Sequence, residues 1–368
     1  MASPTTGWKL ERLPAPSQRA SIIVPFVSII LALVAGGVLI LAAGQNPIAV
    51  YRAMIDGALG SKSGIAETFV KTTPLLLTGL GVAVAFRMKL WNIGGEGQLY
   101  LGAIFATWAA LYGFNSASGW VIVPAMVVAA LVGGALWGLI PGALRAYLGV
   151  NETITTLMLN YIAIQLAEWL VHGPWKDPAS FGFPGTPQFP DAAWLPNYGT
   201  TRVHLGLIFG IVAAIILWVM LRRTRWGYEI SVMGESDRVA HYAGMPTKRT
   251  ILLVMALSGA LCGLAGMSEV AGIGHQLQRN LSPGYGYTAI IVAWVARLNP
   301  IGIIGVAFGL AVVLVGGDQL QMTMSLPAAI APMLQGIILF FLLGGELLTR
   351  YRLVRIGSDV PVTEGVGD

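Results

Sequence analysis

Apolar runs with little or no charge alternate along this chain with short connections that carry most of the charge. The first run, 21–43, holds 23 residues and no charged side chain. At about 1.5 Å per helical residue, that length crosses a hydrocarbon layer of roughly 30 Å. Nine more apolar segments follow, at 72–86, 99–112, 120–140, 153–171, 204–221, 250–265, 287–295, 301–315 and 328–343. Several fall short of the roughly 18 residues a straight span needs. Short or glycine-interrupted pieces are expected of broken or re-entrant helices, whose unwound backbone must face protein or a water-filled cavity. The pattern predicts an all-α polytopic membrane protein of about ten transmembrane helices, with eight or nine if short segments are re-entrant.

Composition agrees. Hydrophobic residues make up 55% of the chain and charged ones 11%, with a mean hydropathy of +0.72, so lipid rather than water is the expected solvent for much of the surface. The net charge of +5 comes from residues that flank apolar segments instead of forming one basic face, which argues against nucleic acid as a partner. With ten spans and the N-terminus in the cytoplasm, 16 of the Lys and Arg residues fall inside and 6 outside, the bias expected of a positive-inside orientation. The outer group is Arg52, Lys62, Lys71, Lys176, Arg202 and Arg279. The expected organisation is a cytoplasmic lead over 1–20, a transmembrane bundle over 21–346 and a cytoplasmic tail over 347–368. The lead is too long, and the first run too extended, for a cleaved signal peptide.

Polar residues at membrane depth mark the candidate chemistry, because an unpaired amide or carboxylate there is costly and normally faces the bundle interior or a cavity. Asn92, Glu96 and Gln98 sit where one helix breaks and another begins. Asn151 is a suitable N-cap with Glu152 in the following first turn, while Thr156 and Asn160 lie further inside the same helix and are candidates for lining a path. Glu96 has the alternative role of holding the turn by accepting backbone N–H bonds. Asp318 and Gln319 read as a solvated helix end. Gly134, Gly138 and Gly142, and separately Gly259 and Gly263, repeat at the small-xxx-small spacing that lets helices approach closely. Cys262 reads as a small buried hydrophobe. The four histidines form no metal-spaced pair and no phosphate-cradling GxxxxGK[ST] segment occurs, so no catalytic, cofactor or metal residue is expected. Any ATP that drives this chain must be bound by another.

Two loops stand out. Residues 172–201 hold six prolines and several aromatics, a composition suited to an ordered but non-helical external cap. Residues 222–249 form the longest internal polar connection. Within it, Ser236 or Asp237 can cap a short helix, Val239, Ala240 and Ala243 give it a small apolar face, and Gly244 stops it. A helix this short needs a surface to pack on.

The stretches FRMKLWNIGGEGQ (86–98), VNETITTLMLNY (150–161), the segment 234–244 and LSGALCGLAG (257–266) together resemble the bacterial ABC importer permeases for nucleosides and simple sugars, specifically the longer permease subunit of a nucleoside importer. The likeness spans roughly residues 20–350. It implies a coupling helix within Gly234, Glu235, Asp237, Arg238, Val239, Ala240, Ala243 and Gly244, docked on a cytoplasmic ABC ATPase with two nucleotide-binding domains that carries ATP and Mg. It also implies a second, non-identical permease subunit and an extracytoplasmic substrate-binding lipoprotein or periplasmic protein. Met88 departs from the pattern, which more often has glycine there. The implied activity is inward movement of nucleosides by alternating access, with Asn92, Glu96, Gln98, Thr156 and Asn160 along the path. The alternatives are a permease for ribose or another simple sugar, an ion-coupled secondary transporter using Glu96, Glu152 or Glu168, and, from a different class, a membrane-embedded enzyme.

Overall fold

The computed structural model describes residues 8–12, 18–180, 182–324, 326–327 and 329–355. Its elements are β1 (Trp8–Arg12), α1 (Gln18–Ala42), α2 (Pro47–Leu59), α3 (Lys62–Arg87), α4 (Gly95–Trp108), α5 (Gly119–Leu148), α6 (Glu152–His172), α7 (Gly206–Arg223), α8 (Arg225–Glu235), α9 (Asp237–Tyr242), α10 (Thr247–Glu269), α11 (Tyr285–Val295), α12 (Pro300–Met324), α13 (Ile330–Arg350) and β2 (Tyr351–Arg355). Wider π-type turns, Ala109–Gly113 and Val270–Gly274, prolong α4 and α10.

Each of the ten apolar segments read from the sequence coincides with a helix, but these helices are not ten full spans. Among the described residues six are long and apolar enough to cross a bilayer: α3, α5, α6, α7, α12, and α10 with its extension; the broken pair α1 and α2 counted together gives up to seven. With 11 residues α11 is too short to cross alone, and α4, even prolonged through Gly113, is not among the six. Two compact units are present, one formed by residues 1–48 and 332–368 and the other by 49–331. In the first, β1 pairs antiparallel with β2, Trp8 opposite Arg355 and Arg12 opposite Tyr351, a ribbon the polar lead and tail did not foreshadow. Residues 1–7, 13–17 and 356–368 of that lead and tail lie outside the described residues.

In the second unit α10 is the hub, packed against α5, α4 and α3. The contacts are backbone to backbone. A β-carbon at Gly134 would strike the Gly259 carbonyl, one at Gly138 the Met255 carbonyl, and one at Gly263 the Ala130 carbonyl. On the α4 side, Gly102 meets Gly263 and Gly266 meets the Leu99 carbonyl in the same way. Glycine at these sites lets the helix axes approach until dispersion contacts and weak Cα–H···O contacts form along the crossing. The small-residue repeat on Gly134, Gly138 and Gly142 is therefore the α5 half of one seam, and Gly259 with Gly263 is the α10 half.

The most enclosed of the six spans is α3, 89% buried over its apolar window, against 28% for α5 and α7. It is a central helix, and α5 and α7 present most of their surface outward. Its hydroxyls fold back on its own backbone, as Thr72 donates to the Thr68 carbonyl and Thr78 to the Pro74 carbonyl, so polar side chains are tolerated at depth.

Helix ends follow local chemistry. Ser61 caps α3 by accepting from Gly64 N–H at 2.9 Å. Asn151 caps α6 by accepting from Thr153 and Ile154, as its sequence position predicts. Gly149, at φ +67°, closes α5. At the end of α3 the left-handed residue is Lys89, φ +56°, and not Met88, φ −86°. The glycine expected at Met88 is unnecessary because the turn takes its strained angle one residue later. Asp318 and Gln319 also differ from expectation. They lie inside α12, where Asp318 is ion-paired with Lys71 of α3 and Gln319 packs against Gly57 of α2.

Replacing Gly263 by Val should lower the thermal unfolding midpoint of the detergent-solubilised protein, by the equivalent of about 1–3 kcal/mol of overpacking. Gly305→Val, where a β-carbon meets nothing within 4 Å, should leave it nearly unchanged. Melting curves followed by size-exclusion fluorescence compare the two; equal shifts would refute the seam.

Candidate functional site

The turn between α3 and α4 gathers the predicted polar residues into one buried knot. Asn92, Glu96, Gln98, Thr156 and Asn160 are each at most 2% exposed. The Asn92 amide donates to Gln98 Oε1 at 3.0 Å and to Ser258 Oγ at 2.8 Å, and its Oδ1 accepts from Gly94 N–H at 2.9 Å. Ser258 passes its own proton to the Gly81 carbonyl at 2.7 Å. Three elements, α3, the turn and α10, are thus joined through four polar groups.

From α6, Asn160 Oδ1 accepts from Gly97 N–H at 2.8 Å, while its amide donates to the Ile93 carbonyl at 2.9 Å and to the Tyr287 hydroxyl at 3.3 Å. Thr156 Oγ1 accepts from Ile93 N–H at 3.2 Å. Glu152, in the first turn of α6, accepts from Trp91 N–H at 3.3 Å and lies 3.4 Å from Arg145 near the end of α5. Buried backbone N–H and C=O groups need partners wherever a helix breaks inside a membrane, and these side chains supply them.

Glu96 acts elsewhere. Its Oε2 accepts from Gly286 N–H at 2.7 Å, placing a carboxylate at the first turn of α11, where free N–H groups and the helix dipole favour negative charge. Ser282 accepts from Gly284 and Tyr285 N–H at the same helix start. The role in holding a turn is real, but the helix start it serves is α11 and not its own α4.

Sequence reasoning passed over two residues. Ser258 is a single hydroxyl in the run Leu257 to Gly266, and its position beside Gly259 was the available signal. Glu269 follows the apolar segment 250–265 closely. It is 8% exposed, and its Oε1 has no hydrogen-bond partner among the described residues. The cations that act on it are Lys71 and Arg202, themselves paired with Asp318 and Glu67. Among the described residues no group of three or more His, Cys, Asp or Glu side chains is placed to hold a metal ion.

The segment 222–249 forms α8 and α9. Ser236 caps α9 by accepting from Val239 N–H at 3.4 Å, and Gly244, φ +67°, ends the turn that follows. Ala240 is fully buried, whereas Arg238, Val239, Tyr242 and Ala243 are exposed, with Tyr242 at 93%. Gly234 packs on the Arg87 carbonyl, and Lys89 Nζ donates to the Glu235 carbonyl at 3.4 Å. The end of α8, just before α9 begins, is therefore fastened to the end of α3 and to the turn that carries Asn92.

Past the end of α6 at His172, the described residues up to 201 are non-helical apart from one 3₁₀ turn at Asp191–Ala193. Thr186, Phe189 and Leu195 N–H groups donate to the carbonyls of Leu277, His275 and Ala271, and Trp194 stacks on His275 at 3.9 Å. His204, at the far end of the cap, accepts from Gly206 N–H through Nδ1. Burial, with His275 and Arg202 nearby, pushes its pKa down to about 4, so the ring is neutral. Glu168 meets the region after the cap through Arg279, 3.5 Å away.

Replacing Asn92 by Leu leaves the Gly94 N–H and the Gln98 and Ser258 side chains short of a partner. It should lower the unfolding midpoint by the equivalent of about 2–3 kcal/mol, and Ser258→Ala should lower it less. A thermal melt in micelles reads both; a neutral Asn92→Leu would show that the knot does not hold the turn.

Residues 64–343 match the family described as Branched-chain amino acid transport system / permease component. The glucose ABC transporter permease protein TsgB13 of Haloferax volcanii is 35% identical over 359 residues, covering 94% of each chain. The guanosine ABC transporter permease protein NupP of Bacillus subtilis is 31% identical, covering 87% of this chain and 92% of its own. The nucleoside ABC transporter permease protein NupB of Lactococcus lactis is 33% identical, covering 87% and 90%. A multi-pass helical bundle with a buried polar turn and a short exposed helix, matched along three quarters of its length, belongs to the branched-chain amino acid transport system permease component family.

Proposed function

We propose that this chain is the membrane-spanning permease subunit of an ATP-driven ABC importer of the inner membrane, carrying nucleosides inward by alternating access. A separate cytoplasmic ATPase with two nucleotide-binding domains binds the ATP and Mg. The observation that carries this reading is α9. It is six residues long, too short to persist without a surface; its apolar and aromatic residues Val239 and Tyr242 are open, and the end of α8 that leads into it is fastened to α3. A partner groove covers that face.

The mechanism follows from the contacts at the base. When the ATPase lobes close on nucleotide they displace α9, and the displacement passes through Gly234 against the Arg87 carbonyl, and through Lys89 to Glu235, into the turn 88–94. Asn92, Gln98, Thr156 and Asn160 then exchange backbone partners for cargo as the turn shifts, and Glu96 follows α11. Weak binding in both states keeps release fast. A ribose offers hydroxyls to such amides and a base offers an apolar face. Pairing of β1 with β2 supports both chain ends lying on one side, and the excess of Lys and Arg there supports the cytoplasm. The proline-rich cap then faces the external binding protein that delivers cargo, and a second permease completes the bundle.

A second reading changes only the cargo. TsgB13, named for glucose, shares 35% identity across nearly the whole length of both chains, which favours a simple sugar as strongly as the guanosine and nucleoside relatives favour a nucleoside.

Val239→Asp combined with Ala243→Asp should reduce ATP-driven uptake by more than tenfold while membrane insertion is unchanged; full uptake would refute docking at α9. Inverted or right-side-out vesicles carrying the complete complex, supplied with labelled guanosine and labelled glucose, decide the cargo: uptake of glucose alone would replace the nucleoside reading with the sugar one.

A further inference from the structure

A groove of about 1120 Å³ opens between α9, the end of α5 and the start of α10. Its lining has two characters. Arg238, Lys248 and Arg249 supply positive charge with Tyr147 beside them, and Ile251 and Leu252 of the membrane-spanning α10 supply an apolar wall. No acidic residue lines it. None of the three cations forms an ion pair with a described residue, and all three are exposed. The Lys248 ammonium stands 5.4 Å from the centre of the Tyr147 ring, which holds it over an aromatic face at the level where a membrane meets water.

The helix start adds to the same field. Pro246 precedes α10, no side chain caps it, and its first turn has no acidic residue. The Thr247 N–H already donates to the Met245 carbonyl at 2.8 Å, and the positive end of the helix dipole lies beside the groove that Pro246, Thr247 and Lys248 line. Three unpaired cations, an uncapped helix start and an apolar wall at membrane depth are complementary to one kind of molecule, an amphiphile with a negative head.

We propose that this groove holds an anionic phospholipid, its phosphate at Lys248 and Arg249 and the upper part of an acyl chain along Ile251 and Leu252. A soluble acidic segment of a partner protein would match the charges but not the wall, because Ile251 and Leu252 belong to a membrane span and would leave its backbone unsatisfied. Arg238 belongs to α9, whose His241 and Tyr242 also line the groove, so the lipid touches the helix proposed to dock the ATPase and fixes its height relative to the membrane. The site stands on the membrane-spanning fold and does not depend on which cargo is carried.

Native mass spectrometry of the full-length chain in detergent, titrated with palmitoyl-oleoyl phosphatidylglycerol or the matching phosphatidylcholine, tests this. The phosphatidylglycerol should bind at least tenfold more tightly than the phosphatidylcholine. Lys248→Gln with Arg249→Gln should weaken it about thirtyfold, from two lost charges near a membrane surface. The charge-preserving pair Lys248→Arg with Arg249→Lys should keep it, and so should Arg222→Gln with Arg223→Gln, which removes equal charge elsewhere. Equal affinity for the two lipids, no effect of the double Gln variant, or an equal loss in the Arg222 and Arg223 variant would overturn the proposal. Displacement of the lipid by millimolar inorganic phosphate would also overturn it, since a small-anion site needs no acyl wall.

Discussion

Everything in the larger unit depends on how closely α10 approaches α5 and α4. In lipid there is little hydrophobic drive to join helices, so the attraction must come from contact at short range. Gly134, Gly138, Gly259, Gly263, Gly102 and Gly266 provide it by leaving no side chain between backbones. Once α10 is seated in this seam, Ser258 stands in reach of Asn92 and the turn between α3 and α4 acquires its anchor from α10. The polar knot is therefore a consequence of the apolar seam, and loosening the seam would strand the knot before it touched any candidate path residue.

The knot also explains how a helix can break inside a membrane without penalty. Between Met88 and Gly95 the chain has no regular ladder; the Lys89, Leu90 and Asn92 N–H groups turn back onto backbone carbonyls, and others find side chains. Glu152 takes Trp91, Thr156 takes Ile93, Asn92 takes Gly94 and Asn160 takes Gly97. These donors and acceptors come from α6, α3's own continuation and α10, so the break is held from several directions. The same arrangement makes it a sensitive place, because a small shift of any one helix removes a partner that water cannot replace.

Much of this was legible in sequence. Ten apolar stretches marked ten helices, the glycine spacing marked the seam, and Asn151 marked the start of α6 through its capping chemistry. Ser236 and Gly244 likewise marked α9. What escaped was whatever depends on partners distant along the chain. Glu96 looked like a cap for its own helix, yet Gly286 is 190 positions away in sequence and nothing local pointed there. Asp318 looked like a helix end because the apolar run stops before it, whereas α12 continues because Lys71 of α3 offsets the charge. Met88 looked irregular because a turn motif constrains one left-handed residue, and spacing alone did not say that Lys89 would be that residue. Span number was less legible: short apolar pieces were expected to be re-entrant, and hydropathy alone does not separate a helix enclosed by protein, such as the 11-residue α11, from one that crosses.

The ribbon of β1 and β2 has a bearing on the order in which this molecule is made. Its two strands come from opposite extremes of the chain, as do the two parts of the smaller unit, in which Gly345 of α13 lies against Ser28 of α1. During synthesis α1 is made before α13, so α1 must wait through the integration of the helices between them before its neighbour exists. For that interval Ser28, buried in the finished protein, faces lipid or a helper. Assembly of this unit is thus a closing step, and ribosomes that stop early leave a first helix with no place to settle and an unpaired strand edge open to strangers.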